Sequence, residues 1–293
     1  MKYYSYFPGC SLDATAVAYG LSIKAICDPL GMELIELEDW NCCGSTPYGS
    51  TDELEAVCIA TRNLALAEKK GLDLVTPCSS CYLTLNKANS NLKLYPDLKD
   101  RVEWILAAAG LEYRGTVRVR HLAEVILNDI GLEAIKSKVV NRLDGLKVAP
   151  YYGCQLVRPA LGFDAPENPQ SLDRLIASLG AEPTPFPLKS RCCGGSLIIS
   201  EPDLALGLIR QLLESAAANG AECIITPCPL CQTNLDAFQG MVNAKFKTRF
   251  EIPILFFTQL MGVAFGINAK ALGLNKGVIS AKKALAPFQV AAK

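Results

Sequence analysis

The order of the cysteines repeats once along this chain, and this repeat limits the possible folds more than any other feature. In the first half, Cys10 is followed by the adjacent pair Cys42-Cys43 and then by a CxxC made of Cys78 and Cys81. The second half has the same order, with Cys154, Cys192, Cys193, Cys228 and Cys231. The interval from Cys43 to Cys78 is 35 residues, and so is the interval from Cys193 to Cys228. The flanking sequences NCCGS and RCCGGS, and TPCSSC and TPCPLC, also match, which indicates an internal duplication of roughly 150 residues.

The length of 293 residues suits two domains, and the repeat places them at 1–144 and 145–293, each long enough to bury its own core. The 29 basic and 29 acidic residues balance, so charge gives no reason to expect nucleic acid or an anionic membrane as a partner. The start MKYYSYFPGC lacks the features of a secretory signal, and no run of apolar residues is long enough to span a membrane. We therefore expect a cytoplasmic protein, in which cysteines are more often metal ligands or redox groups than disulfides.

Strand and helix patterns alternate, which predicts an α/β fold with two tandem pseudo-symmetric domains, each a small, mostly parallel sheet flanked by helices. Strands are expected at 3–7, 32–37, 72–76 and 117–120, and in the second half at 147–151, 183–187, 223–226 and 252–256. Helices are expected at 14–30, 52–70, 81–91 and from the fourth strand to 130, and then at 171–179, 202–219 and 259–265. The segment 163–169 reads as an extra loop in the second copy.

Every cysteine element of the repeat follows a predicted strand. Ligands of open α/β sheets bind at the carboxyl ends of the strands, so five distant cysteines can converge there. Thiolates are soft ligands that suit iron–sulfur clusters, zinc or copper(I). Neighbouring side chains diverge, so an adjacent pair suits two irons of a cluster better than one ion. The glycine after each pair allows a tight turn close to a bulky inorganic core.

Two other metal or redox sites compete with a cluster. A structural zinc site would explain the CxxC motifs but neither the adjacent pairs nor a fifth cysteine in each copy. A thioredoxin-like CxxC is favoured still less. Cys27, Cys58 and Cys223 lie outside the repeat among apolar neighbours and are expected to be buried hydrophobic residues. The only histidine, His121, ends a predicted strand, and a satisfied or surface histidine is favoured over a catalytic one.

The twice-repeated PGC or YGC, CCG and PCxxC motifs resemble those of the cysteine-rich CCG-domain family, and within it the B subunit of heterodisulfide reductase and its bacterial homologues. The resemblance covers essentially the whole chain. It implies one non-cubane 4Fe–4S cluster in each copy. The implied ligands are Cys10, Cys42, Cys43, Cys78 and Cys81 for one cluster, and Cys154, Cys192, Cys193, Cys228 and Cys231 for the other.

The resemblance also implies an activity and partners. In that family a small-molecule disulfide is cleaved reductively between the two clusters, and the methanogen substrate is the mixed disulfide of coenzyme M and coenzyme B. Cys43 and Cys193, one from each pair, are the expected catalytic positions. Electrons would come from the ferredoxin-like iron–sulfur C subunit of the complex, which in turn receives them from the A subunit, a flavin- and iron–sulfur-containing protein.

The residues beside the two pairs differ, and this difference suits a substrate with two unlike ends. Asn41 precedes the first pair and Arg191 the second, so both are candidate substrate-binding residues. Arg191 would suit an anionic group, although a surface arginine without a ligand is an equal alternative. The competing function is an electron-relay iron–sulfur subunit of a larger redox complex. Complete cysteine sets in both copies favour the enzyme.

Overall fold

The computed structural model describes residues 1–45, 48–158 and 162–288 and contains two four-stranded parallel sheets. The first sheet has the order β2-β1-β3-β4, and its strands are β1 (Lys2–Tyr6), β2 (Met32–Glu36), β3 (Leu74–Thr76) and β4 (Val119–His121). The second has the order β6-β5-β7-β8, and its strands are β5 (Lys147–Pro150), β6 (Glu182–Pro183), β7 (Cys223–Thr226) and β8 (Ile254–Phe256). The predicted tandem α/β fold is confirmed.

Helices flank both sheets. In the first copy they are α1 (Val17–Leu30), α2 (Glu53–Glu68), α3 (Ser79–Leu94), α4 (Pro96–Ala108), α5 (Leu122–Val125) and α6 (Leu132–Ser137). In the second they are α7 (Ser171–Ser178), α8 (Pro202–Ala218), α9 (Pro229–Ala237), α10 (Gln239–Phe246), α11 (Phe257–Ala264) and α12 (Lys282–Leu285). Local signals set several ends: Gly31 closes α1 in the left-handed conformation, and the Asp52 carboxylate caps α2 by accepting the Glu55 N–H.

Some predicted elements differ from the structure. The strand expected at 183–187 forms only at Glu182–Pro183, because three prolines in that stretch remove backbone donors from the ladder. The helix expected to run to residue 130 changes after α5 into a π-helical segment, Ile126–Ile130. Helix α4, which starts with Pro96 at its first position, was not predicted, and neither were α6, α9, α10 and α12.

The largest hydrophobic core runs across both copies, and a second core lies entirely within the second copy. It joins Tyr4 and Leu74 of the first sheet to Phe256 and Leu260 of the second half. Helix α1 of the first copy packs against α11 of the second. The buried hydroxyls of Ser22 and Thr258 share a hydrogen bond of 2.6 Å in this contact. The boundary between residues 144 and 145 stays a prediction.

None of the helices in the described ranges is long and apolar enough to cross a membrane.

Candidate metal centre

The ten cysteines of the repeat follow strand ends at the carboxyl edges of the two sheets. Cys10 follows β1, the pair Cys42-Cys43 follows β2 and Cys78 follows β3, and the second copy repeats this placement. Cys78 and Cys228 occupy the N-cap positions of α3 and α9 without a capping side-chain hydrogen bond, and Cys81 and Cys231 lie in the first helical turns. The positive end of a helix dipole favours the thiolate form.

The cysteine side chains form one continuous series of neighbours through the protein. Cys193 Sγ lies 3.7 Å from Cys231 Sγ. Each thiol lies close enough to the next to shift its pKa, in the order Cys42, Cys43, Cys81, Cys78, Cys228, Cys231, Cys193, Cys192 and Cys154. Cys10 lies beside Cys42 at one end of this series. The two copies therefore meet at Cys78 and Cys228, the first cysteine of each CxxC.

Glycines let the backbone come close to the sulfurs. Gly9 and Gly153 have φ angles of 76° and 69°, and a Cβ on either would lie 3.0 Å from the sulfur of Cys81 or Cys231, respectively. Any side chain there would be strained and would displace a thiol. The N–H groups of Gly44 and Gly194 donate to Cys42 Sγ at 3.5 Å and to Cys192 Sγ at 3.3 Å. Such amides also stabilise negative charge on sulfur.

Hydrogen bonds between thiols favour one thiolate in each pair. Donation from Cys42 and then from Cys81 lowers the pKa of Cys43 to about 3, although burial opposes this. Donation from Cys154 and then from Cys193 lowers the pKa of Cys192 to about 2. The favoured thiolate is thus the second cysteine of the pair in the first copy and the first in the second copy. Metals bind the deprotonated form.

Cysteines near the two ends of the series are exposed to solvent, and those in its middle are buried. Cys10, Cys42 and Cys192 are exposed to solvent, whereas Cys78 and Cys228 are buried. Small molecules can therefore approach the outer cysteines, and the junction of the two copies is shielded from water.

The donor set fits iron–sulfur groups. Each copy offers five thiols at one sheet edge, with glycine turns and backbone N–H groups directed at sulfur. In the part of the chain that the structure describes, no three His, Cys, Asp or Glu side chains are grouped so as to hold one metal ion. The spread of each five-cysteine set suits the separate irons of a cluster.

The two candidate substrate-binding residues lie in different surroundings. The Asn41 side chain donates to the carbonyls of Cys42 and Ile59 and accepts a hydrogen bond from Arg62 at 3.0 Å. Arg191 is exposed, and its carbonyl accepts the Tyr151 hydroxyl at 2.7 Å. Their role in substrate binding stays a prediction, as does the catalytic role of the buried Cys43 and Cys193.

The remaining cysteines and the histidine lie away from water to different degrees. Cys58 and Cys223 are buried, as predicted, and Cys27 is half-buried. His121 is fully buried rather than at the surface, and its Nδ1 accepts the Ala123 N–H at 3.1 Å. Its Nε2 finds no hydrogen-bond partner within the described residues. Burial lowers the pKa of His121 to about 4.

Sequence reasoning missed contacts that join the site to its surroundings. The Ser45 N–H and hydroxyl donate to Cys43, and Ser80, inside the first CxxC, donates to Gln155 beside Cys154. The second contact crosses between the copies. Only the positions of these residues next to cysteines could have pointed to them.

The fold and the repeated cysteine edge define a class of cysteine-rich α/β redox proteins. The model of the CCG family, described as a cysteine-rich domain, matches residues 4–86 and 148–236, and the chain belongs to this family.

Three curated relatives place the chain more closely. It is 39% identical, over 96% of this chain and 99% of the relative, to the 8-methylmenaquinol:fumarate reductase membrane anchor subunit of Wolinella succinogenes. It is 34% identical, over 92% of both chains, to a protein of Archaeoglobus profundus described as like the B subunit of heterodisulfide reductase. It is 32% identical, over 94% of this chain and 93% of the relative, to the B subunit of the ferredoxin/F(420)H(2)-dependent CoB-CoM heterodisulfide reductase of Methanosarcina acetivorans.

One solved structure shares the fold. The crystal structure of a hypothetical protein from Helicobacter pylori superposes with a TM-score of 0.76 at 17% identity. The match covers 95% of this chain and 52% of that one, so this chain spans about half of the solved structure.

Proposed function

We propose that the chain is the catalytic subunit of a heterodisulfide reductase-like complex and cleaves a small-molecule disulfide by reduction. The observation that carries this proposal is the closeness of Cys78 to Cys228, each of which shifts the pKa of the other, in one continuous series of ten thiols. Because the two cysteine sets adjoin there, two one-electron centres would lie side by side. Each set would hold a 4Fe–4S cluster of non-cubane type, with the ligands implied by the family resemblance.

The reaction needs two electrons and two protons: RS–SR′ + 2 e⁻ + 2 H⁺ gives RSH and R′SH. Each cluster, when bound, would supply one electron. The chain's own residues would orient the disulfide so that one sulfur faces the cluster of the Cys43 set and the other faces the cluster of the Cys193 set. The water-shielded junction at Cys78 and Cys228 would keep the electrons from escaping to solvent.

The partners follow from the family resemblance. The chain would work in the cytoplasm in a complex with two other proteins, the ferredoxin-like iron–sulfur C subunit and the flavin- and iron–sulfur-containing A subunit. The names of two relatives, both B subunits or B-like subunits of heterodisulfide reductase, support this assignment.

One relative favours a second candidate function. At 39% identity, the chain also resembles a subunit of an 8-methylmenaquinol:fumarate reductase. In this alternative the two adjacent clusters only relay electrons between other subunits of a larger redox complex. The same continuous series of thiols suits a relay, so the structure allows both functions.

Turnover of the purified, anaerobically prepared protein separates the two functions. Reduced methyl viologen supplies electrons, and bis(2-hydroxyethyl) disulfide is the substrate. The proposal predicts release of two thiols for every two viologen molecules oxidised. Cluster reduction by viologen without thiol release would reject the reductase and favour the relay.

A further inference from the structure

A cavity of about 410 Å³ lies beside the cysteine pair of the first copy. Its volume is within the range of small-molecule sites. We call it the copy-one pocket; its lining includes Ser45, Ala56, Ala60, Ala88 and Gln155, together with the acidic Glu53 and the basic Lys87. Ser45 hydrogen-bonds Cys43, and Gln155 follows Cys154, so the pocket adjoins cysteine sites of both copies.

Small side chains create this space. Between the pair and the CxxC, the copies align without a gap, and the helices that follow begin at Ser79 and Pro229, so we assign each residue a counterpart 150 positions later through this helix. Ala56 corresponds to Leu206, which is buried in the second core. Ala88 corresponds to Phe238, which packs against that core.

The other counterparts also fill the space. Ala60 corresponds to Arg210, whose guanidinium lies 5.1 Å from the centre of the Phe246 ring. Ser45 corresponds to Gly195, where an added Cβ would come within 2.7 Å of Leu230. The first copy therefore has open space where the second has packed side chains.

The copy-one pocket also carries a charge that the second copy lacks. Lys87 is exposed on α3, and its counterpart is Ala237. Glu53 also lines the pocket, but within the described ranges neither its carboxylate nor any other lies within ion-pair distance of the Lys87 ammonium group. Polar Ser45 and Gln155 lie on the side of the cysteines. A ligand with a sulfur at one end and an anionic group at the other matches this arrangement.

We propose that the copy-one pocket binds one half of the disulfide substrate, and that this half carries a carboxylate, sulfonate or phosphate held by Lys87. The inference rests on the proposed disulfide reduction. Lys87 is a specificity-determining residue here: it selects the substrate by charge and takes no part in electron transfer. The pocket would place the anionic half at the first cysteine set and leave the other half to the second.

Three small disulfides of similar size but different charge test the pocket: dithiodiglycolate, bis(2-hydroxyethyl) disulfide and cystamine. With reduced methyl viologen as donor, the KM should be lowest for the dianionic dithiodiglycolate and highest for the dicationic cystamine. Lys87→Met should raise the KM for dithiodiglycolate about tenfold, the effect of losing one charge-assisted hydrogen bond, and leave kcat unchanged. It should leave the KM for the neutral disulfide unchanged.

Two further variants control for charge and space. Lys69→Met removes an exposed lysine next to the carboxyl end of α2, outside the pocket, and should change no KM. Ala88→Phe introduces the residue of the second copy and should raise the KM for both the anionic and the neutral disulfide. The iron and sulfide content of Ala88→Phe should match that of the wild type, and this match would show that the variant still folds.

A binding measurement separates the pocket from the reaction. Thiodiglycolate is a thioether that cannot be reduced, and calorimetry should show about tenfold weaker binding to Lys87→Met. If Lys87→Met and Ala88→Phe bind thiodiglycolate like the wild type while disulfides are still reduced, the proposed ligand site in the copy-one pocket is rejected and the disulfide reductase function is kept. If Lys87-dependent binding occurs without any disulfide turnover, the ligand site is kept and the disulfide reductase function is rejected.

Discussion

The two copies keep the same cysteine geometry but differ where they meet. His121 ends β4 in the first copy, and Phe256 occupies the same position at the end of β8. Each is stacked by a residue of the opposite copy: Phe163 lies 6.5 Å from His121, and Tyr19 lies 4.1 Å from Phe256, between ring centres. Tyr19 and Phe163 each lie nine residues after the first cysteine of their copy. The duplication thus retained both the metal site and the contact, while one aromatic ring became a titratable one.

A second difference lies one residue earlier. Buried Arg120 on β4 pairs with Glu124 at 2.8 Å and with Asp129 at 2.6 Å. The matching residues of the second copy are Leu255 and Gln259, which form no ion pair. The last strand of the first sheet, β4, is therefore stabilised by buried ion pairs, and the last strand of the second sheet, β8, by apolar packing. The cysteine positions are therefore the same in both copies, whereas the residues around the two sheets differ.

The largest effect should come from removing one cysteine ligand from either of the two cysteine sets. Cys43→Ala and Cys193→Ala each remove one ligand from a single cluster. We expect each variant to lose nearly all disulfide reduction, because the reaction needs one electron from each side. Iron should fall from about eight to about four atoms per chain, since the untouched set keeps its own cluster. Turnover, iron and sulfide analysis and the visible spectrum measure this.

The matched control is Cys58→Ala, which removes a buried cysteine outside both sets and should keep both clusters. Wild-type turnover in either ligand variant would show that the copies are not equivalent partners in the reaction. That cluster would then be a relay.

The convergence of the cysteines could be predicted from the sequence for a physical reason. Parallel strands end at one edge, so cysteines that follow strands must share it, as Cys10, Cys43 and Cys78 do. The predicted helices at 14–30 and 52–70 also rest on local signals, since the structure has a C-cap at Gly31 and an N-cap at Asp52.

The contact between Cys78 and Cys228 could not be predicted in the same way. It depends on how α1 packs against α11, and no local pattern encodes this contact between segments more than 200 residues apart. The copy-one pocket also escapes sequence reasoning, because Ala56 and Ala88 look like ordinary apolar helix positions. Only comparison with Leu206 and Phe238 in a packed core shows that space is left.

The second-largest effect should come from removing the buried ion pairs of Arg120, which the second sheet lacks. Arg120→Leu introduces the residue of the second copy but leaves the buried Glu124 with only the exposed Arg118, 3.0 Å away, as an ion-pair partner. We expect a loss of about 3 kcal/mol in the free energy of unfolding, the lower end of the usual cost of breaking a buried ion pair, because Arg118 still compensates part of the charge. Denaturant unfolding under anaerobic conditions measures this.

The double variant Arg120→Leu/Glu124→Gln copies the second sheet at both positions and should recover much of that loss. The comparison would fail if the single variant were as stable as the wild type. Glu124 would then find solvent or another partner, and the charged network would not hold this sheet.

The smallest effect concerns the two aromatic stacks. The pKa of His121 is about 4 in the folded protein, below the usual value of 6.5 in an unfolded chain, because burial disfavours the charged ring. Above pH 6.5 the ring is neutral in both states. As the pH falls from 6.5 towards 4, only the unfolded state binds the proton, so folding stability falls. The loss is roughly 2 kcal/mol between pH 7 and pH 5.

His121→Phe gives the first stack the ring found at Phe256 and should remove this pH dependence. Because the chain contains one histidine, the difference in pH dependence between wild type and variant reports the titration of His121. The carboxylates titrate in both proteins, so their contribution cancels. Thermal unfolding of the loaded protein at pH 7 and pH 5 measures the difference, and the variant should lose fewer degrees on acidification. An equal loss in both proteins would mean that His121 binds its proton without unfolding. The stack with Phe163 would then have to tolerate a charged ring.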